Sequence, residues 1–440
     1  MSFADSIVAL SSGRLPAGVA VVRLSGPHVR FALEMIAGAV PEPRQAVYRS
    51  LRRRDGEVLD KGLVLFFPDP HSFTGEDVAE LQLHGGRAVV SAVLDELTSI
   101  PGVRAAEPGE FTKRAFLNGK LDLTETEALA DLVNAETEAQ RRFAVLNASG
   151  AQADLYAGWR QRLVEARAMI EADIDFSDEE DVPGSVAETV WTDVEAIRCE
   201  IEAHIEGYRS AEIIRDGFDV VILGAPNSGK SSLFNTLVKR EAAIVTSEAG
   251  TTRDLLEVAL DLGGIRVRIT DTAGIREEAG TVEAIGISRA LARAETADLL
   301  LILEDMQTPV RFDPGQSVVP RLSVGTKADL IADADGSSFY DVVISVKDDT
   351  GIQALLGEIG RRAELAIGTM GEVLPSRLRH VDQLRETVSH LAEAVAAVNL
   401  PLELRSEMLR LATRSLGRIA GEVETEHLLD VIFSQFCIGK

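Results

Sequence analysis

The sequence predicts a multidomain α/β protein in which an α/β domain with a mostly parallel sheet is inserted into a helical domain. Three observations carry this. The chain has 440 residues, enough for two to four domains. From about 214 to 370 short apolar runs alternate with helical patterns, the order that builds a parallel sheet. On both sides of that region apolar residues recur three and four apart, as in amphipathic helices. The ends of an inserted domain lie close together, so the arrangement disturbs its host little.

Taken in order, residues 1–120 read as an N-terminal α/β domain. The β-rich runs "GVAVVRLSG" and "GLVLFFPD" alternate there with helical stretches and Gly/Pro turns. Residues 121–213 form the first part of the helical domain, with "LTETEALADLVNAETEAQRRFAVLNAS" as its clearest repeat. The acidic "DFSDEEDVPG" breaks it as a helix–loop junction. Residues 214–370 are the inserted domain, and 371–440 complete the helical domain and carry the tail "FCIGK".

Composition excludes several classes. Two cysteines, Cys199 and Cys437, rule out a disulfide framework or a cysteine-rich zinc site and suit a reducing cytoplasm. No apolar run reaches the length of a membrane span, and the N-terminus lacks the basic region of a signal peptide. A cytoplasmic protein with no membrane partner is expected. The net charge of -25 means that any nucleic acid must be met at a local basic patch or through a partner. Arg49, Arg52, Arg53 and Arg54 form one basic cluster, which also reads as a solvated hairpin tip.

The strongest signal is "GAPNSGKSS". Gly224-x-x-x-x-Gly229-Lys230-Ser231 matches the P-loop pattern, with an apolar strand before it and a helix after it. Glycines let backbone N–H groups face an anion, and the helix N-terminus adds partial positive charge. Asn227, Ser228, Gly229, Lys230, Ser231 and Ser232 are the expected phosphate contacts, with Lys230 on the β/γ-phosphates and the Ser231 hydroxyl on Mg²⁺.

Downstream residues select the nucleotide. Asp271, Thr272, Ala273 and Gly274 match a D-x-x-G element that holds Mg²⁺ through water and senses the γ-phosphate. Thr252 in "AGTTRD" is the loop threonine expected to close on Mg²⁺. "VGTKADL" is an N-K-x-D element with Thr326 in place of Asn; Lys327, Ala328 and Asp329 follow. Asp329 is expected to grip the two ring N–H donors of guanine. Ser345, Val346 and Lys347 stand where S-A-K/R elements meet the base through backbone N–H. The expected substrate is GTP, in a Ras-like G domain. Ras-type proteins place a water-orienting Gln directly after D-x-x-G; here that position is Ile275. Glu277, Glu278 and Glu283 are the nearby carboxylates that could replace it.

Over essentially its full length the chain resembles the bacterial MnmE (TrmE) family of tRNA modification GTPases. The matching stretches include "HSFTGEDVAELQLHGG", "EPGEFTKRAFLNGKLDL", "GAPNSGKSSLFN", "EAAIVTSEAGTTRD", "DTAGIREEAGTVEAIGI" and "FCIGK". The resemblance implies a homodimer whose N-terminal domain binds a tetrahydrofolate, either 5-formyl- or 5,10-methylene-tetrahydrofolate. It implies a flavoprotein partner, MnmG (GidA), in a heterotetramer or larger complex, and tRNA as the object of modification. It implies a carboxymethylaminomethyl or aminomethyl group added at C5 of the wobble uridine.

The same resemblance assigns residues. Glu283 falls on the family's catalytic glutamate. K⁺ is expected beside the phosphates, held by Asn227, Thr246, Glu248 and Thr251, with Ser247, Ala249 and Gly250 completing the nucleotide loop. Arg23, Glu80, Lys120 and Lys440 correspond to folate contacts, and Cys437 is a candidate reactive thiol. A carboxylate pairs with an aminopyrimidine edge, and Arg or Lys holds a glutamate tail. A regulatory GTPase of ribosome assembly is the alternative function; such proteins carry a basic RNA-binding module, which residues 1–120 do not resemble.

Overall fold

The structure is a computed structural model. It describes residues 3–175, 186–240, 242–244, 256–271, 293–310, 312, 318–331, 339–369, 371–421, 432, 433, 436 and 439. The chain divides into two compact units. One holds Met1–Ala130, Asn147–Trp191 and Glu393–Lys440; the other holds Asp131–Leu146 and Thr192–Ala392.

The first unit is built on a six-stranded sheet. Its strands are β1 (Ser6–Leu10), β2 (Ala17–Ser25), β3 (Val47–Arg52), β4 (Val58–Phe67), β5 (Val78–Gly85) and β6 (Val103–Ala105), in the order β3-β4-β5-β2-β1-β6. All neighbours run antiparallel except β1 and β6. Strand alternation decides which side is dry. Val22, Leu24, Leu81, Leu83, Val64 and Phe66 are buried in one core with the helices Val29–Ala37 and Arg87–Thr98. Val21, Arg23, Glu80 and Gln82 alternate with them and fall on the other face, where they are half-buried. The same unit contains the long helix Ala151–Asp175, packed along Leu402–Ala420.

A second six-stranded sheet organises the other unit. Its strands are β7 (Phe218–Gly224), β8 (Leu256–Leu262), β9 (Ile265–Asp271), β10 (Leu299–Asp305), β11 (Arg321–Thr326) and β12 (Val342–Val343). The order is β12-β11-β10-β7-β9-β8, parallel throughout except for the β8–β9 hairpin. β7 reads FDVVILG and is buried from Phe218 to Leu223, as a central parallel strand requires. The C-terminal ends of β7, β9 and β11 carry the P-loop, Asp271 and Thr326, so the topology gathers at one edge what the sequence spreads over a hundred residues.

The segment Asp131–Leu146 lies in this second unit, although its sequence pattern alone groups it with the helices around it. Ala139 and Phe143 are buried in the same core as β7, β8 and β9. The Ala139 N–H donates to the Gly264 carbonyl at 2.9 Å, and Glu136 pairs with Arg266 at 3.1 Å. Thr137 and Gln140 cap the helix Glu138–Ala148 reciprocally: the Gln140 Oε1 accepts from the Thr137 N–H at 3.1 Å. Gln140 Nε2 then donates to the Arg215 carbonyl at 2.8 Å. Arg377 closes the base by pairing with Asp131 at 2.7 Å.

Candidate functional site

The P-loop has the backbone that its sequence demands. Gly224 sits at φ +155, and a Cβ there would lie 2.4 Å from the Leu303 carbonyl oxygen, so only glycine fits. Asn227 takes a left-handed conformation at φ 63. Gly229, at φ 96, is the N-cap of the helix Lys230–Val238. The turn therefore ends on a helix N-terminus, the kind of end whose unpaired N–H groups suit an anion. Lys230 arches back over it: Nζ donates to the carbonyls of Gly224 and Ala225 at 2.8 and 2.9 Å. Burial lowers its pKa, and the carboxylate of Asp271 works against that shift. Ser231 and Ser232 open the helix, both exposed.

Asp271 ends β9, fully buried, in register with Ile222 of β7. The hard oxygen of Ser231 at the helix start and the carboxylate of Asp271 form a donor set that suits Mg²⁺, which binds through few protein oxygens plus phosphate and water. Asn227 presents an amide oxygen of the kind that suits K⁺. Among the described residues no group of three or more His, Cys, Asp or Glu is placed to hold a metal ion. Thr246, Ser247, Glu248, Ala249, Gly250, Thr251 and Thr252 lie outside the described residues, as do Thr272, Ala273, Gly274 and Glu283.

The residues expected to meet the base lie at the end of β11 and in the turn after it. Thr326 closes the strand, Lys327 turns the chain at φ 59, and Ala328–Leu330 forms a 3-10 turn carrying Asp329. The Ser345 hydroxyl donates to Asp329 Oδ1 at 2.8 Å, and Lys347 Nζ lies 3.7 Å from Oδ2. Val346 packs against the core beneath. Lys327 Nζ donates to Asp305 Oδ2 at 2.6 Å. Burial alone would raise the pKa of Asp305, but hydrogen bonds from Lys327 and the Gln307 N–H hold it below the usual carboxylate range. The orienting roles of Ser345 and Asp305 were invisible in sequence. The sequence pattern gives Ser345 a backbone role, and nothing in it marks Asp305 beyond its place at a strand end.

The other unit holds a second polar cluster. Arg23 and Glu80 face each other across β2 and β5. Arg23 Nε and Nη2 both donate to Glu80 Oε1, at 3.1 and 2.9 Å. The Arg23 guanidinium lies 5.6 Å from the Phe73 ring centre and 5.9 Å from that of Phe111. Lys120 Nζ donates to the Pro70 carbonyl at 3.1 Å, and Asn118 Nδ2 to that of Thr74 at 2.8 Å. The loop of residues 70–76 thus touches both Arg23 and Lys120. That loop is fixed from below by Glu76, which accepts from the buried Arg114 at 3.2 Å and from the Ser25 hydroxyl at 2.7 Å. Phe73, Phe111, Glu76 and Arg114 escaped sequence reasoning, because only the fold brings them beneath Arg23.

The C-terminal tail arrives beside this cluster. Phe433 and Phe436 pack with Leu123 and Phe116. The Ser11 hydroxyl then donates to the Gly439 carbonyl at 2.8 Å, at the end of β1, where Ala9 is in register with Arg23. Cys437 and Lys440 lie outside the described residues. The cluster Arg49, Arg52, Arg53 and Arg54 lies in and just after β3, at the β3–β4 hairpin. Arg53 pairs there with Glu57, Arg52 donates to the Gly56 carbonyl, and Arg54 donates to that of Ser99.

Comparison with known proteins adds the context. The family profile for the MnmE helical domain matches residues 123–437, and that for the N-terminus of the GTP-binding protein TrmE matches residues 6–120. The tRNA modification GTPase MnmE of Mesorhizobium japonicum is 64% identical over 439 residues, covering 99% of each chain. The chain belongs to the MnmE family. The protein of the same name from Brucella anthropi is 56% identical over 100% of this chain and 99% of its own. That of a Chelativorans species is 56% identical over 99% and 98%. These relatives match the chain over nearly its full length. Among the described residues no helix is long and apolar enough to cross a membrane.

Proposed function

We infer that the chain is a GTP hydrolase acting in tRNA modification. The observation that carries this is the convergence of Lys230, Asp271 and Asp329 at one edge of a parallel sheet, in a chain whose full-length relatives bear that activity in their names. Asp329, held by Ser345, has the paired acceptors that the two N–H groups of guanine require. Lys230 and the loop N–H groups neutralise phosphate charge as it redistributes during phosphoryl transfer. Ser231 and Thr252 would hold Mg²⁺, with Asp271 acting through water. Asn227, Thr246, Glu248 and Thr251 would hold K⁺. These cations supply further charge neutralisation when bound. Glu283 orients the attacking water, the task for which Ile275 is unsuited.

The finer reading is that GTP turnover serves a wobble-uridine modification. A homodimer works with the flavoprotein MnmG and uses a tetrahydrofolate one-carbon unit at C5 of the base. The Arg23–Glu80 pair supports it. A carboxylate is presented for an aminopyrimidine edge, and a guanidinium stands beside it. Lys120, and Lys440 at the end of the tail, would hold the anionic glutamate tail. Mass spectrometry of wobble nucleosides from cells lacking the protein tests the reading. The modified uridines should vanish, return with the wild-type chain, and stay absent with Glu80→Ala. Unchanged nucleosides in the deletion strain would overturn it.

A further inference from the structure

We propose that the Asp219 carboxylate is a two-position acceptor, shared with Arg293 in one state and held by Arg268 alone in the other, and that the bound guanine nucleotide sets the choice. The proposal rests on the GTPase assignment above. Asp219 is the second residue of β7 and is 8% exposed. Strand register sets it beside Arg268 of β9. Its Oδ2 accepts from Arg293 Nη2 at 3.0 Å and lies 2.8 Å from Arg268 Nη2. Its Oδ1 is buried without a hydrogen bond, and so is Arg268 Nε. One ion pair thus carries an orphaned acceptor and an orphaned donor, and buried polar groups left unpaired are costly.

A side-on fork satisfies both orphans at once, with Arg268 Nε on Oδ1 and Nη2 on Oδ2. In the structure Oδ2 serves two guanidiniums instead. Each arrangement gains one charged hydrogen bond and gives up another, which leaves the two close in free energy. The backbone of Asp219 stays fixed in either: its N–H donates to Asp298 Oδ2, and its carbonyl accepts from the Asp298 N–H, both at 2.8 Å. A released Arg293 has room, because a cavity of about 260 Å³ adjoins it, with the carboxylates of Glu212 and Asp216 on its wall. Ala294 and Ala297, which follow Arg293, pack with Val221 and Leu223 of β7. A slide of that stretch along β7 makes or breaks the Arg293 contact. All three partners sit on segments tied to the nucleotide edge. β7 leads into the phosphate loop, Arg268 shares β9 with Asp271, and Arg293 is the next described residue after Asp271. A nucleotide that favours one arrangement is in turn bound more tightly by it, by the same factor.

The test uses the full chain and measures dissociation constants for GDP and for a non-hydrolysable GTP analogue with a β,γ-imido bridge. Arg293→Met removes the second donor of the shared state. Arg268→Lys keeps the charge but removes Nε, so the fork cannot form. The ratio of the two dissociation constants should therefore move in opposite senses in the two variants, each by at least about threefold. In an Asp219→Ala chain, Arg293→Met should move the ratio no further. Shifts in the same sense overturn the proposal. So do wild-type ratios in both variants, which would leave the cluster a purely structural role. If Arg268→Lys fails to fold, a shift by Arg293→Met that persists undiminished in the Asp219→Ala chain overturns it. A wild-type chain that binds neither nucleotide removes the GTPase assignment itself, an outcome visible before any variant is made.

Discussion

The Ser11 hydroxyl donates a 2.8 Å hydrogen bond to the carbonyl of Gly439, 428 residues away in sequence. Gly439 sits at φ +99, and a Cβ there would lie 2.1 Å from the Leu10 carbonyl oxygen. Gly439→Ala must therefore displace the tail. Its 5-formyl-tetrahydrofolate affinity should fall at least about tenfold, while GTP hydrolysis by the same preparation stays at the wild-type rate. Ser11→Ala should cost less, about two- to fivefold. Unaltered folate binding in Gly439→Ala would detach the tail from that site.

On the proposed reading Asp329 would select guanine through two acceptor oxygens, one of which accepts from the Ser345 hydroxyl. Asp329→Asn replaces one acceptor with a donor, which suits the 2-oxo group of xanthine. Preference should shift from GTP to XTP by at least about a hundredfold, read from competition binding. A variant that still prefers GTP would place base selection elsewhere.

Glu283→Ala should bind GTP like the wild type and turn it over at least about a hundredfold more slowly. Single-turnover hydrolysis separates the two effects. Retained turnover would transfer the water-orienting role to Glu277 or Glu278.

The proposed K⁺ site predicts that hydrolysis in KCl far exceeds hydrolysis in NaCl at matched ionic strength. Asn227→Ala should erase most of the difference while leaving the rate in NaCl near its starting value. Equal wild-type rates in the two salts would sink the cation assignment.

His204 gives a pH prediction. Burial, reinforced by the charge of His380, holds its pKa down to about 4 against 6.5 for an ordinary histidine, and a hydrogen bond with Val373 opposes this. The folded state thus binds this proton less readily than the unfolded one. Stability is full above about pH 6.5 and falls as pH drops toward 4, by about 1–2 kcal/mol at pH 5. Urea unfolding at pH 7.5 and 5 should show a smaller difference for His204→Gln than for wild type. Identical pH dependence would place the titration elsewhere.

Much of the nucleotide edge was legible because its parts are contiguous. The P-loop is eight consecutive residues whose glycines and lysine are fixed by backbone geometry, and Gly224 and Gly229 take positive φ in the structure. Residues that act through a neighbour were not legible. Ser345 looks like a backbone contact until its hydroxyl is placed on Asp329. Arg23 and Glu80 look like two ordinary surface charges until strand register sets them opposite each other.

The sequence by itself determined where the phosphate loop lies, that strands and helices alternate around it, and which family the chain resembles. These follow from local spacing and apolar periodicity, which a linear string carries. Tertiary structure decided that Asp131–Leu146 packs with the nucleotide sheet, because Ala139 and Phe143 have the same helical spacing whichever core they enter. It also decided that the Thr326 hydroxyl meets the Ser228 carbonyl and that Gly439 meets Ser11. Each of those is a hydrogen bond between distant residues, set by which surfaces come together on burial and not by either residue's neighbours in the chain.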